Sequence, residues 1–504
     1  MRFVTCLILI CNYSLIFSQP EIEWQKCIGG SNNEEASDII ATDDGGYALT
    51  GRTSSNDGDV SDNHGGMDLW VLKLSSLGDI IWQRCYGGSY DEEGESIQQT
   101  SDGGYIALGR TYSNDGDVTS NNGNGDIWIL KIDSTGELEW NKCFGGTDLE
   151  RGYTIKQTSD DGYIFTGLTY SNNGDVSGNH GDSDVWVIKI SSSGDLEWQK
   201  CFGGSGFDRP QSLTISSDNG FVILGETASN DGDVNGHIGG VDFWILKLDQ
   251  DGILEWEKCY GGMSDESSEH ITQTFDGGYI LAGGTYSNDE NVTGNNGNED
   301  AFVLKIDPFG DIEWQKCLGG SNNEKAESII ETDDGYTFTG RSDSNDGDVS
   351  GNNGDSDMWV LKMDAFGNTE WQKCLGGSNN EKAESIIETD DGYALTGRTD
   401  SNDGDVSGNN GDSDVWVIKL TTSISSVKQK KDEPIQIYPN PARNLVNIRS
   451  GKNQDIEYVI SSINGELMAK NKIYGNQVSV DLSSFRKGLY VININNQNYY
   501  ILKE

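Results

Sequence analysis

The residues best suited to chemistry in this chain are carboxylates in a recurring Asn/Asp/Gly-rich stretch. One copy reads SNDGDVTSNNGNGD from Ser113 to Asp126, and another SNNGDVSGNHGDSD from Ser171 to Asp184. Asp57 and Asp59 with the later Asp68, or Asp115 and Asp117 with Asp126, could wrap Ca²⁺, which takes hard oxygen ligands. The spacing matches no complete calcium loop, however, and a closing bidentate Glu is missing. Asp and Asn also recur in turns because their side chains bond nearby backbone groups. Turn chemistry is therefore the first expectation, Ca²⁺ the alternative, and no other cofactor is expected.

Signatures of catalysis are sparse. His64, His180 and His237 fall in the Asn/Asp/Gly stretches and His270 at a first-strand position, so they form no metal motif. No nucleophile elbow or phosphate loop occurs. Acidic residues are too numerous for any one pair to stand out as a glycosidase dyad. Seven Cys, from Cys27 to Cys374, recur singly at spacings of 58 residues and finally 57. Neither C-x-x-C nor zinc spacing is present. They read as small buried apolar side chains.

The elements that position these residues repeat with the same period, which is the dominant signal. The phrase WQKCFGG at Trp198–Gly204 has variants beginning at Trp24, Trp82, Trp140, Trp256, Trp314 and Trp371. Within a period, four runs read as strands: Glu95–Thr100, Tyr105–Thr111, Asp126–Ile132 and Glu137–Cys143. Asp-Gly and Gly-Gly between such runs are hairpin chemistry, and no helical apolar stripe appears. Each period is therefore a four-stranded antiparallel meander, the blade of a β-propeller. A β-solenoid or separate small domains are the alternatives. Trp pairs such as Trp128 with Trp140 suit packing between blades better than stacking on sugars.

The first three strands occur seven times, ending with Val415–Leu420. The fourth also occurs seven times, but its first copy opens the chain at Ile22–Cys27. These two oddities cancel if the amino-terminal strand completes the last blade. A ring of seven blades follows, with the long stretches and the GGSNNEEA-type connections on one face. The run Ile129–Trp140 loosely resembles the pyrroloquinoline-quinone-type propeller repeat, without its cofactor residues.

Residues 1–18 read as a signal peptide, with Arg2, the apolar run Phe3–Phe17 and Ser18 before the cut. The apolar run is shorter than the ~20 residues of a membrane span. A lipoprotein reading through Cys11 is disfavoured by bulky Ile10. With 82 Asp plus Glu against 35 Lys plus Arg, the net charge is −47. That field excludes nucleic acid as a partner and favours cations and solubility. The expected domains are the signal at 1–18, the propeller at 19–420, a polar linker at 421–434 and a small β-sandwich at 435–504.

The last module carries Tyr438-Pro439-Asn440-Pro441 followed by Leu445-Val-Asn-Ile448, then Asn464-Gly465, and Gly488-Leu-Tyr490-Val491. On these residues it resembles the type A sorting domain of the type IX secretion system of Bacteroidetes. The resemblance implies engagement of that machinery and delivery to the outer-membrane surface or the medium. An ordinary adhesive sandwich is the competing reading.

Two functions stand against each other. One is a binding or adhesion scaffold for a glycan or surface protein, using repeated loops for avidity. The other is a polysaccharide-active enzyme with a single site at the propeller channel. The criterion between them is where the units differ. The largest departures are Gly206–Pro210 and Ser264–His270, whereas units six and seven share WQKCLGGSNNEKAESIIETDDGY. That near-identity favours the scaffold.

Overall fold

Short runs of β-branched and aromatic residues, each closed by a Gly-containing turn, favour strands throughout the repeats. In a computed structural model, every regular element among the described residues is a strand. The structure describes residues 19–422 and, beyond them, 436–438, 445–449, 456–462, 467–473, 477–494 and 497–503. The expected signal peptide and nearly all of the expected linker lie outside the described residues. The chain separates into two compact units that meet between Ser423 and Ile424.

The first unit is seven four-stranded antiparallel sheets. In the second blade the strands, counted outward from the ring axis, are Glu92–Gln99, Tyr105–Thr111, Asp126–Ile132 and Leu138–Phe144. The two middle strands match the expected runs. The innermost begins three residues earlier than expected, because a β-bulge between Gly94 and Ser96 interrupts its alternation. All seven innermost strands carry that bulge.

The last blade is assembled from both ends of the unit. Glu381–Thr389, Gly392–Thr399 and Asp414–Thr421 are completed by Glu21–Ile28. Lys26 pairs with Val417 and Cys27 with Trp416, antiparallel. Even a side-chain bond of the ordinary blade is reproduced across the clasp. The Trp416 indole donates to Gln25 Oε1 at 2.8 Å, as Trp186 does to Gln199 at 2.7 Å inside its own blade. The final strand runs one residue past the expected boundary, to Thr421.

The core lies between blades. Leu69, Val71 and Tyr86 of the first blade pack with Ile97, Tyr105 and Trp128 of the second. Val415 and Val417 of the last pack with Ile39, Leu49 and Trp70 of the first, so the hydrophobic ring is continuous. Trp128 and Trp186 are fully buried, and Trp140 meets Tyr163 of the next blade edge-on, with ring centroids 6.3 Å apart. Such pairs contribute roughly 0.5–1.5 kcal/mol beyond the area they bury.

The second unit is a sandwich. One sheet holds Gln436–Tyr438, Leu445–Arg449 and Gln477–Asp481, and the other Leu467–Ile473, Ile456–Ser462, Gly488–Ile494 and Gln497–Lys503. Val446, Ile448 and Val480 of the first share a core with Tyr458, Ile460 and Ile492 of the second.

Candidate functional site

The innermost strands face the ring axis and line a cavity of about 460 Å³. Bulges in sheets often re-aim a side chain toward a site. Here the bulged residue, skipped by the strand pairing, lines the cavity in every blade: Ser37, Glu95, Tyr153, Gln211, Glu269, Glu327 and Glu384. This position differs among the first four blades and is Glu in the last three, while the core residues around it repeat.

Charges in the channel step from blade to blade. A cation near the start of one innermost strand meets the bulge residue of the preceding blade. Arg151 reaches Glu95 at 2.5 Å, Lys382 reaches Glu327 at 3.3 Å, and Lys325 pairs with Glu269. Arg209 continues the pattern beside Tyr153, while itself bonding Glu226 at 2.7 Å. At the junction of the last and first blades the pattern fails, because Glu35 stands where a cation would be. Glu35 is neutralised from the side by Arg52 at 2.5 Å. Burial, with Glu327 and Glu35 nearby, raises Glu384 well above the usual carboxylate range despite Lys382. Next to it Asp38 accepts from the Ser385 hydroxyl at 3.1 Å, and burial pushes its pKa up as well.

Opposite chemistry stands in the third and fifth blades. Lys156 has no salt-bridge partner within 4.0 Å among the described residues. Burial first, then Lys156, lowers His270 to about 4, so the ring is neutral at ordinary pH. Its Nδ1 lies 2.9 Å from the Ile329 carbonyl oxygen of the next blade. The stretches Gly206–Pro210 and Ser264–His270, singled out in the sequence as departures, thus bring Arg209 and His270 to this cavity.

The long loops and the Gly-Gly connections share one face, as expected, and bond each other. Asp57 Oδ1 accepts the Ser31 amide at 2.8 Å, and Asp115 Oδ1 the Ser89 amide at 2.8 Å. Asp59 and Asp117 accept from Gly29 and Gly87 at 3.4 and 3.2 Å. Asp57, Asp59 and Asp68 therefore do not form the expected single-loop set. Asp59 lies at the junction with the preceding blade, near Asp414, and Asp68 at the junction with the following one, near Asp117. No group of three His, Cys, Asp or Glu among the described residues is arranged to hold a metal.

The seven described cysteines of this unit are free. Burial pushes the Cys143 and Cys374 thiols up to about 12, which removes the thiolate needed for reactivity.

In the second unit, Tyr438 ends the first strand and Gly488 opens the sixth. Tyr490 is buried, and its hydroxyl donates to the Arg486 carbonyl at 2.8 Å. Pro439, Asn440, Pro441, Asn464 and Gly465 lie outside the described residues. Residues 436–504 match the family model of the secretion system C-terminal sorting domain. The second unit is a secretion-system sorting domain. It directs the protein through type IX secretion to the cell surface or the extracellular space. Among the described residues, no helix is long and apolar enough to cross a membrane.

Solved structures resemble this chain at low identity. The Neurospora crassa Pan2 WD40 domain is 10% identical, covering 79% of this chain and 97% of that one, with a TM-score of 0.44. The β-propeller domain of the Trilobed protease from Pyrococcus furiosus is 8% identical, covering 79% and 99%, at 0.39. An ulvan lyase, of a polysaccharide lyase family, is 10% identical, covering 77% and 97%, at 0.45. These likenesses concern the fold alone. No curated protein matches the chain.

Proposed function

We propose that this exported propeller is a binding protein whose ligand site is the central channel. The sorting domain provides passage across the outer membrane, residues 1–18 serve as the signal peptide for the inner one, and 421–434 link the two domains. The observation that carries the reading is the location of variation. Core, loops and turns repeat around the ring, while bulge positions and their neighbours carry Tyr153, Lys156 and His270 once each and Arg only at Arg151 and Arg209. A cavity of about 460 Å³ falls within the range of small-ligand sites, and its charged lining suits a polar ligand the size of a short glycan. A repeated-loop adhesive surface is less well supported, because the loop carboxylates already accept backbone amides.

A glycan array probed with the full chain tests this. A hit that weakens at least ~10-fold in Lys156→Thr or Tyr153→Phe, and is unchanged in Asn56→Ala on the loop face, supports the channel. The reverse pattern favours the loops.

Glu384 favours a second reading, the polysaccharide-active enzyme. A carboxyl whose pKa burial raises, near a second carboxyl that pairs with Arg52, has the division of labour of a general acid and base. Release of reducing or unsaturated ends from a polysaccharide panel, abolished by Glu384→Gln, would establish it; a silent panel removes it.

A further inference from the structure

Two rings of aspartates run around the propeller, and only one has its counter-charges. In the turns between first and second strands, Asp44, Asp102, Asp160 and their counterparts each meet a buried lysine. Lys73, Lys131 and Lys189 reach them at 2.9, 2.9 and 3.0 Å. The other ring lies at the blade junctions on the long-loop face, on the first residue of every third strand. Asp68, Asp126, Asp184, Asp242, Asp300, Asp357 and Asp414 are all fully buried, and in every one Oδ1 has no hydrogen-bond partner.

Each of these oxygens is aimed at a second carboxylate, from the next blade. A Cβ added to Gly145 would meet Asp126 Oδ1 at 2.5 Å and Glu150 Oε2 at 2.6 Å. At Gly319 the same point lies 2.6 Å from Asp300 Oδ1 and 2.7 Å from Glu324 Oε2, and at Gly376 2.5 Å from both Asp357 Oδ1 and Glu381 Oε2. Only glycine fits beneath the converging pair. A loop carboxylate, Asp175, Asp348 or Asp405, stands by the same glycine and accepts its amide at 3.3 to 3.4 Å. No lysine or arginine comes within 4.0 Å of these acids among the described residues; His64 and His180 bond Asp68 and Asp184, and His237 lies near Asp242. Like charges facing each other out of water repel strongly unless a positive charge joins them.

We infer that each blade junction on the long-loop face is a site for a hard divalent cation of the calcium class, shared between the third-strand Asp of one blade and the first-strand acid of the next. The donors are all oxygens, as Ca²⁺ prefers. The converging pair supplies two carboxylates and no third such group joins them in metal-holding geometry among the described residues, so backbone carbonyls and water must complete the shell. Affinity near ~10⁻⁴–10⁻³ M, the range of extracellular modules, is expected. Two junctions depart from the pattern: Asn291 replaces the loop acid beside Gly261, and Asp208 replaces the first-strand Glu beside Gly203.

The test uses the full chain with CaCl₂ as the probe. Chelator-treated protein should gain several degrees of melting temperature in ~5 mM CaCl₂ at pH 7.5, since a ligand binding only the folded state stabilises it. Terbium luminescence titration should count up to seven sites and lose three in the Asp126→Asn, Asp300→Asn, Asp357→Asn variant, which should also melt higher than the wild type without calcium. A melting temperature indifferent to calcium overturns the inference, whether or not it rises on acidification; a rise confined to low pH would mean that the pairs share a proton instead. Terbium counts unchanged in the triple variant would overturn it equally.

Discussion

The loop rim and the channel come from the same seven repeats, yet they treat their residues differently. On the rim, the loop and junction acids recur blade after blade in the same bonds. In the channel, the bulge position is Ser, Glu, Tyr and Gln in the first four blades and Glu in the last three. A position that repeats is solving a problem every blade has, such as closing a turn or satisfying an amide. A position that changes while its surroundings stay fixed is released from that problem, and here the changes converge on one cavity.

The first way to break this contrast is to damage what repeats. Deleting Gln19–Ile28 removes the outer strand of the last blade and the Gln25 bond to Trp416. The melting temperature should fall by at least ~10 °C or the cooperative transition should vanish. Trp186→Ala, at a fully buried junction residue, should cost about 3–5 kcal/mol in denaturant unfolding. Tyr153→Ser, in the channel, should cost less than about 1 kcal/mol. Equal costs would erase the distinction between scaffold and site.

Titration sharpens the contrast. His270 is held at about 4 by burial and then by Lys156, below the ~6.5 of an unfolded histidine. Its folded pKa is depressed, so the unfolded state binds more protons between these values. The stability it permits is complete above pH ~6.5 and is lost as pH falls toward 4. Other charged groups near this ring are Lys156 of the third blade and Glu269 beside it in sequence. His270→Gln should flatten the melting-temperature profile in that window.

The repeated turn acids act lower on the scale. Asp44 and Asp160 are held at about 2, first by the hydroxyls of Thr42 and Thr158 and further by Lys73 and Lys189. Their contribution stands above pH ~4 and is lost as pH falls toward 2. Because they are largely exposed, solvent screening keeps each effect small. Asp160→Asn should move the melting temperature by no more than a few degrees at neutral pH and reduce its slope below pH 4.

Strands, ring closure and the buried thiols were legible in the sequence because each is written within one period or in its count. Val415–Leu420 and Ile22–Cys27 had to meet for the strands to balance, and they do. The bulge was not legible. Glu92-Glu93-Gly94 masks the apolar alternation, so the innermost strand was placed three residues late. The channel cluster was hidden for a different reason. Arg151 and Glu95 are 56 residues apart, and Asp38 and Ser385 are 347 apart; only the ring geometry makes them neighbours. The signal was present all the same, in a column that varies between units beside columns that do not. Asp57, Asp59 and Asp68 looked like one loop's set, but the junctions divide them because third strand and long loop serve opposite neighbours.

The most direct measurement levels the channel while leaving the scaffold alone. Tyr153→Ser, Lys156→Thr and His270→Ser together install side chains that sister blades carry at the same positions. None of the three residues forms a salt bridge among those described. The account expects this triple variant to melt within a few degrees of the wild type and to lose the array ligand of the full chain. Retained binding at wild-type strength, with the fold intact, would contradict it.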